Sequence, residues 1–315
     1  MDIKWGLRPA PIIDQLVDGG PFGFTMLMAD SGAGKTTIAA NMAAAVALGE
    51  RCFGSLEVEQ GSVVIIECER TAFMVIETLK ALVHPDKWQT ANQNIKVIQK
   101  KDNEIDWDIH SPADRERILG LIYQYSPKLV IFDSVLFMCN TSDGEYGIFR
   151  KLFMEIMEHG ASVVGLMHTT SKSTSDTWTN AYGPTGKELA RWASCRLGFN
   201  RIGESDYSYI AGPTRRFGNV VLFTTYIPDS RRLFTIHKLQ IPVRYQGQLP
   251  NATSEPAVRM LERLRILAKS KHINTTELAR LLGVHRRNFS YWGTGRNNAS
   301  LEHYEAMKRL YEKLK

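Results

Sequence analysis

The chain has 315 residues with 43% hydrophobic and 23% charged content, which is typical of globular proteins and excludes a disordered chain. No apolar run is long enough to span a membrane, and the first residues lack a signal-peptide pattern. The four cysteines are widely spaced and lack the paired pattern of a zinc ribbon. We therefore expect a cytoplasmic protein with free thiols and two domains, or one large domain and a small appendage.

Residues 21–240 alternate continuous apolar runs with amphipathic stretches, a pattern typical of a parallel sheet covered by helices on both faces. The predicted strands of this sheet are 24–28, 62–67, 96–99, 129–133 and 162–168. The predicted helices between them are 36–48, 71–82, 115–125 and 148–158. Further strands at 196–200, 207–211, 220–226 and 232–239 follow one another with turn residues between them, which predicts an antiparallel extension.

A glycine-rich turn separates the first predicted strand from the first predicted helix, with the sequence Ser31-Gly32-Ala33-Gly34-Lys35-Thr36-Thr37. Such a turn lets backbone N–H groups surround phosphates, and the positive end of the helix dipole adds to the attraction. We expect Lys35 to reach the β- and γ-phosphates of ATP and the Thr36 hydroxyl to bind Mg²⁺. The usual pattern opens with Gly where this chain has Ala29.

Carboxylates end two other predicted strands. Asp133 closes the strand 129–133 and is expected to hold the hydrated Mg²⁺. Glu67 and Glu69 end the second strand, and alternation places both on one side if the strand continues through both. Glu69 is nearer the carboxyl end, where ligands bind in open α/β sheets, and is the better candidate to orient the attacking water. For Glu67 we expect a structural pairing with a nearby Lys or Arg.

The order of these motifs resembles the RecA-like ATPase core, and more closely the RepA/DnaB-type hexameric helicase ATPases. The stretch 61–70 (GSVVIIECER) is similar to that group's strand-and-acid signature, although Arg70 stands where an acid is usual. The resemblance covers about residues 5–240 and implies a RecA-like fold. It also implies that Glu69 is the catalytic base, that His168 senses the γ-phosphate, and that the protein is a homo-oligomer, with a six-membered ring (hexamer) as the form that the family suggests.

Two further segments take their roles from this resemblance. The turn 212–218 (GPTRRFG) resembles the one through which such enzymes send a cation to the neighbouring subunit, so Arg215 or Arg216 would stabilise charge on its γ-phosphate. The segment 169–186 stands where RecA-like proteins place a pore loop, and Lys172 and Trp178 would contact single-stranded DNA there. A solvated hairpin tip and an ordinary surface loop are the open alternatives. Residues 1–20 are a candidate cover for the nucleotide base.

The excess positive charge lies at the end of the chain. Residues 252–315 carry 13 basic and 6 acidic residues, a net charge of +7, whereas 1–251 carry 26 and 27. The spacing of Ala279, Gly283, Phe289 and Trp292 matches a helix-turn-helix, and this stretch resembles the Cro/repressor-type family. We therefore predict an ATPase domain over 1–245, a linker over 246–254 and a small all-α helix-turn-helix domain over 255–315.

The second helix of that motif would present the residues that contact duplex DNA, which are His285, Arg286, Arg287, Ser290, Tyr291 and Arg296. A helical hairpin that binds protein is the alternative. We expect a DNA-dependent ATPase of the replicative helicase type, of a plasmid or phage, that grips single strands in its central loops and is recruited to duplex DNA by this module. The alternatives are an ATP-controlled regulator or helicase loader without translocation, and a RecA-like recombination or repair protein.

Overall fold

The computed structural model describes residues 9–20, 23–100, 107–138, 146–169, 183–227, 230–246, 254–271, 273–285, 289 and 301–314. The chain divides into two compact units, Met1–Gln248 and Leu249–Lys315, and each is described by itself. Among the helices of the described ranges, none has the length and apolar character needed to cross a membrane.

One mixed sheet forms the first unit. Its strands, in the part of the chain that the structure describes, are β1 (Phe24–Ala29), β2 (Val63–Glu67), β3 (Ile95–Gln99), β4 (Leu129–Asp133), β5 (Ser162–His168), β6 (Cys195–Arg201), β7 (Tyr207–Thr214), β8 (Gly218–Tyr226) and β9 (Leu233–Ile236). Their order across the sheet is β3-β2-β4-β5-β1-β6-β7-β8-β9. Strands β1 to β6 run parallel, and β6 to β9 pair antiparallel. The predicted parallel sheet with an antiparallel extension is confirmed.

Helices cover both faces of this sheet. Those of the first unit are α1 (Lys35–Leu48), α2 (Ala72–Leu82), α3 (Pro85–Asn94), α4 (Pro112–Gln124), α5 (Tyr146–Glu158), α6 (Gly183–Trp192) and the short α7 (Val243–Gln246). Because side chains alternate along β1, Leu27 packs in the core beneath α1, α2 and α3, while Met26 and Met28 pack in the core beneath α4, α5 and α6. Apolar burial on both faces explains why the strands read as continuous apolar runs.

The observed elements differ from the predicted ones most clearly in three places. Helix α3 has no counterpart among the predicted helices, because Ala91 is its only buried residue and its sequence has no apolar periodicity. Helix α6 begins at Gly183, inside the segment 169–186 that the sequence predicts as a loop throughout. Strand β9 ends at Ile236, and a 3-10 turn over Lys238–Gln240 replaces the predicted end of the strand.

Residues 9–20 lie where the parallel strands begin, which we call the amino edge of the sheet. The hydroxyl of Thr25 at the start of β1 donates to the carbonyl of Leu16 at 2.9 Å. The hydroxyl of Ser162 at the start of β5 donates to the carbonyl of Asp18 at 2.7 Å. The glycine-rich turn follows the end of β1 and lies at the opposite, carboxyl edge. The idea that this segment covers the nucleotide base is therefore wrong for residues 9–20.

The second unit is helical in its described residues, with α8 (Ser254–Ser270), α9 (Thr275–Leu281) and α10 (Leu301–Leu314). Its hydrophobic core contains Leu261, Leu264, Ala268, Leu278, Ala279, Leu282, Phe289 and Met307. Asn274 caps α9 by accepting the N–H of Glu277 at 2.9 Å, and Gly283 follows the helix with φ 68°. A positive φ of this kind is typical of a glycine that ends a helix. The helix-turn-helix assignment of this unit stays a prediction.

Candidate nucleotide-binding and catalytic site

The glycine-rich turn between β1 and α1 has the backbone shape that phosphate binding requires. Gly32 and Gly34 have φ 74° and 105°, values that side chains other than glycine rarely adopt. A Cβ at Gly34 would also come within 3.0 Å of the Tyr226 hydroxyl. Gly34 is the N-cap of α1 and has no side chain to accept the first N–H groups of the helix. These groups are therefore oriented toward an anion at the carboxyl edge.

Lys35 is a cation that is buried next to this turn, with only 6% of its surface exposed. Its Nζ donates to the carbonyl of Asp30 at 3.3 Å and lies 3.1 Å from Nδ1 of His168. Burial lowers the pKa of Lys35, while the carboxylates of Glu69 and Asp133 oppose this shift. Since a buried ammonium gains most from a directly bound anion, the site is suited to a phosphate.

Thr36 and Asp133 provide two oxygen ligands that fit a small hard cation. The Thr36 hydroxyl donates to Oδ2 of Asp133 at 2.6 Å, and Asp133 is 3% exposed. Burial raises the pKa of Asp133, and a bound cation would offset this cost. Within the described residues, no group of three or more His, Cys, Asp or Glu could hold a metal by itself. Mg²⁺ at phosphate sites commonly uses one or two protein oxygens together with phosphate oxygens and waters, so the pair fits it.

His168 at the end of β5 joins the lysine to the candidate base. Its Nε2 lies 3.3 Å from Oε2 of Glu69. Because the Lys35 ammonium can only donate, Nδ1 of His168 accepts and Nε2 carries the proton that is donated to Glu69. The structure thus brings together Lys35, His168 and Glu69, which lie on three separate segments of the sequence.

Glu67 has a different role from the one expected. Strand β2 ends at Glu67, so the alternation does not continue to Glu69. Oε1 of Glu67 accepts the N–H groups of Glu69 at 2.7 Å and of Arg70 at 2.6 Å. The expected pairing of Glu67 with a Lys or Arg side chain is therefore wrong, because backbone N–H groups take that place. The buried carboxylate shapes the turn that presents Glu69.

The arginines of the β7–β8 turn lie far from this site. Thr214, which precedes them, pairs with Cys195, and Cys195 pairs with Thr25 near the start of β1. The turn is thus at the amino edge, about 15 Å or more from the glycine-rich turn at about 3.3 Å per residue. Arg216 bonds the carbonyl of Pro9 at 2.5 Å and lies 3.4 Å from the buried carboxylate of Asp18. Arg215 is exposed and donates to the carbonyl of Trp192 at 3.1 Å.

The predicted DNA-contacting residues are only partly covered by the structure. His285 is exposed in the second unit, two residues after Gly283. The others, Lys172, Trp178, Arg286, Arg287, Ser290, Tyr291 and Arg296, lie outside the described residues. Two residues that sequence reasoning missed, Arg201 and Tyr226, stand beside the glycine-rich turn at the ends of β6 and β8. No motif marks them, since only the strand pairing places them there.

Comparisons with known proteins agree with this geometry. The model of the AAA_25 family, described as an AAA domain, matches residues 3–174, just over half of the chain. The chain belongs to this family. It is a RecA-like P-loop ATPase, an enzyme that hydrolyses ATP. The matched range contains Lys35, Glu69, Asp133 and His168 but none of the second unit.

One solved structure shares the fold of this AAA_25 ATPase at low sequence identity, and a second was also found in the comparison. A KaiC-like protein, PH0186 from Pyrococcus horikoshii, is 14% identical with a TM-score of 0.51, and the match covers 72% of this chain and 94% of that one. A second solved structure, which is an ATPase domain, is 12% identical with a TM-score of 0.49, and the match covers 69% of this chain and 86% of that one. No curated protein sequence matches the chain significantly.

Proposed function

We propose that this ATPase is a DNA-dependent motor of the ring-forming replicative helicase type, which acts as a homo-oligomer with a hexamer as the expected form. The observation that carries the proposal is the distance between the phosphate-binding residues and the turn that contains the arginines. Lys35, Glu69 and His168 meet at the carboxyl edge, whereas the turn with Arg215 is at the amino edge. An arginine so placed can reach only the nucleotide of a neighbouring subunit.

In the proposed mechanism, the N–H groups of Gly32–Thr37 and the Lys35 ammonium bind the triphosphate of ATP. Thr36 and Asp133 would hold Mg²⁺, which when bound neutralises charge on the β- and γ-phosphates. Glu69 orients the attacking water and accepts its proton. Arg215 from the neighbouring subunit stabilises the charge that develops on the transferred phosphoryl group.

His168 would report the presence of the γ-phosphate. Its Nδ1 lies 3.1 Å from Nζ of Lys35, so a phosphate that binds this ammonium would also change the hydrogen bonding of the imidazole. Thr169, the next residue, donates its hydroxyl to the carboxylate of Asp30 in the glycine-rich turn. Changes at the phosphates can therefore act directly on the start of the segment 169–186, whose Lys172 and Trp178 we propose as contacts for single-stranded DNA.

The duplex-binding part of the proposal concerns residues 255–315, joined to the ATPase domain (1–245) by the linker 246–254. The positive charge excess of the last 64 residues and the glycine turn after α9 support a helix-turn-helix. We propose that His285, Arg286, Arg287, Ser290, Tyr291 and Arg296 contact the duplex.

A second candidate is an ATP-controlled DNA-binding regulator or helicase loader that does not translocate. It is favoured by the separate basic unit, because a duplex-binding module helps loading but is not needed for unwinding. Both candidates share one ATPase site, so its chemistry does not distinguish them.

The deciding experiment is steady-state ATP hydrolysis without DNA, with single-stranded DNA and with duplex DNA, with Lys35→Ala as the blank. We expect single strands to stimulate hydrolysis several-fold, and the blank to be inactive while it unfolds in the same temperature range as the parent. Hydrolysis that ignores single strands, or responds only to duplex, would reject the motor and favour the regulator. An active, folded Lys35→Ala protein would reject the site itself.

A further inference from the structure

A groove of about 500 Å³, open to solvent, lies beside the second half of α1. Its apolar lining includes Ala44, Ala45, Leu48, Leu82 and Leu233. Because an α-helix rises about 1.5 Å per residue, the part of α1 between Ala44 and Leu48 is about 14–20 Å along the helix from Lys35. The groove is therefore separate from the phosphate-binding turn, and its volume is in the range of pockets that bind small molecules.

Contacts between separate segments of the chain hold the groove in shape. Thr235 of β9 donates its N–H at 2.9 Å and its hydroxyl at 3.1 Å to the carbonyl of Phe53. Gly54 has φ 72°, and a Cβ there would lie 2.8 Å from the ring of Phe234. A glycine is therefore required where the turn after α1 approaches this ring. A lining that is fixed by the fold loses little freedom when a ligand binds.

The charged lining of the groove is mostly cationic. Arg51, Lys87 and Arg232 line it, against one carboxylate, that of Glu50. Lys87 bonds Glu50, and Nη2 of Arg232 lies 3.6 Å from Oε2 of the same carboxylate, while Arg51 pairs with Glu57 at 2.6 Å. The side chains of Lys87 and Arg232 are 55% and 42% exposed. One carboxylate thus serves two accessible cations, so a second anion can bind them without leaving a charge unpaired.

An aromatic side chain lies next to one of these cations. The guanidinium of Arg232 is 5.5 Å from the centre of the Phe234 ring, and both residues line the groove. An acidic group bound to Arg232 therefore brings the rest of the ligand close to an aromatic ring and to the apolar lining. A flat aromatic body with an acidic substituent matches both features.

Asn41 connects the groove to the phosphate-binding helix. It lines the groove, and its Nδ2 donates to the carbonyl of Thr37 at 2.8 Å and to that of Arg231 at 3.2 Å. Its Oδ1 accepts the N–H of Leu233 at 3.1 Å. Since Leu233 lines the groove and Thr37 ends the glycine-rich segment, one side chain bonds both the wall of the groove and the first turn of α1.

We propose that this groove is a regulatory site of the ATPase that binds an aromatic carboxylate, and that its occupancy strengthens ATP binding through Asn41. A ligand packed against Leu233 and Arg232 holds Asn41 in the arrangement that also bonds Thr37. By linkage, ATP strengthens binding of the carboxylate by the same factor. The inference rests on the ATPase activity and not on the proposed action on DNA.

The first test uses 2-naphthoate as the probe and its neutral amide, 2-naphthamide, as the comparison, in calorimetric titrations of the nucleotide-free full chain. We expect 2-naphthoate to bind at about 0.1–1 mM and the amide about tenfold more weakly. Arg232→Ala should weaken 2-naphthoate binding about tenfold, and Ala44→Leu should abolish it by filling the groove. The matched control is Arg191→Ala, because Arg191 is also an exposed arginine paired with a glutamate, Glu188. It should bind the probe like the parent.

The second test measures the affinity for ATP with and without saturating 2-naphthoate. We expect the probe to strengthen ATP binding about threefold in the parent, which is within the usual range of coupling between sites. Asn41→Ala should still bind the probe, and its affinity for ATP should not respond to it. Unfolding temperatures without ligands check that each variant folds. Because Arg232 is exposed, the outcome does not depend on the more buried Ala44.

Four results would overturn the proposal. Equal affinity for the acid and the amide, or unchanged binding in Arg232→Ala, would remove the role of the cation. An equal loss in Arg191→Ala would reduce the effect to general charge. Loss of probe binding in Lys35→Ala would place the probe at the phosphate-binding turn instead. An affinity for ATP that ignores the bound probe in the parent would remove the regulation.

Discussion

Glu67 shows how a buried carboxylate can serve a catalytic neighbour without acting on the substrate. It has no exposed surface, and one of its oxygens orders the backbone of Glu69 and Arg70. Burial, followed by the charge of Asp133, raises the pKa of Glu67 to about 7. The neutral acid can therefore stay in place at low cost, whereas the ionised form costs folding free energy.

This gives a prediction for Glu67→Gln in protein without nucleotide or divalent cations. The pKa of Glu67 is higher in the folded than in the unfolded chain, so the contribution of this group to stability is fully present below about pH 4.5 and is lost as the pH rises through about 7. The amide keeps an acceptor oxygen and cannot ionise. We expect the variant to gain about 1–3 kcal/mol over the parent at about pH 8, and nothing near pH 4.5, in denaturant unfolding.

The matched control is Glu57→Gln, because Glu57 is exposed on the surface beside Arg51. Its difference from the parent should not depend on pH over this range. A Glu67→Gln protein that tracks the parent at every pH would show that Glu67 ionises normally in the folded chain.

The sequence is sufficient to select Lys35, Thr36, Asp133 and Glu69, because each follows a strand or a glycine turn whose pattern is local. The structure places Thr36 in a hydrogen bond with Asp133, and it places Lys35 and Glu69 on either side of His168. The role of Glu67 could not be predicted, because it depends on where β2 stops, and alternation gives the wrong face once the strand has ended. Arg201 and Tyr226 are placed by strand pairing over long sequence separations, which no motif records.

Arg215 and Arg216 lie in different surroundings in the β7–β8 hairpin. The sequence alone does not indicate which of them would reach a neighbouring subunit. Arg216 has 26% of its side chain exposed and is held by Asp18 and Pro9, which fasten the N-terminal segment to the amino edge. Arg215 is exposed, and its guanidinium bonds one backbone carbonyl. Arg215 is thus the better candidate for the residue that reaches a neighbouring subunit.

We predict that the two alanine variants fail in different ways. Arg216→Ala should lower the free energy of unfolding by about 2–3 kcal/mol, since it removes a cation from the buried Asp18. Arg215→Ala should unfold like the parent and lose kcat by about a hundredfold or more. Hydrolysis and denaturant unfolding of both variants check this, and a stable, inactive Arg216→Ala would reverse the assignment.

Mixing subunits tests whether the arginine acts on a neighbour. Arg215→Ala keeps the phosphate-binding lysine, and Lys35→Ala keeps the arginine, so a site is complete when the Arg215→Ala subunit supplies the lysine and its Lys35→Ala neighbour supplies the arginine. In a random equal mixture about one quarter of the interfaces are complete, and activity should recover to about that fraction of the parent. A mixture as inactive as its components would indicate that Arg215 does not complete a site across the interface.

At the scale of elements, strands with a continuous apolar run could be predicted closely, and β4 and β5 have the predicted bounds. Helices that bury few residues, such as α3 and α6, could not be predicted in this way. Helix α3 buries only Ala91, and α6 follows a polar segment and buries only Gly186, Leu189 and Ala190. Where tertiary packing rather than local pattern stabilises a helix, the sequence carries little signal for it.

At the scale of the whole molecule, the family match and the charge lie in different parts of the chain. The AAA_25 match ends at residue 174, and the first 251 residues are close to neutral. The second compact unit carries the basic excess. Such a division is expected where one part hydrolyses nucleotide and another binds a polyanion.

The last prediction therefore concerns Arg286 and Arg287. Their joint replacement by alanine should weaken duplex binding and reduce its salt dependence, while DNA-free hydrolysis stays unchanged, because with fewer phosphate contacts fewer counterions are released on binding. The control removes the same charge elsewhere in this unit, at the exposed Lys269 and Lys313. If both double variants lose affinity equally, duplex binding reflects net charge alone. A loss specific to Arg286 and Arg287 requires a defined binding face, because a uniform basic surface would respond to charge wherever it is removed.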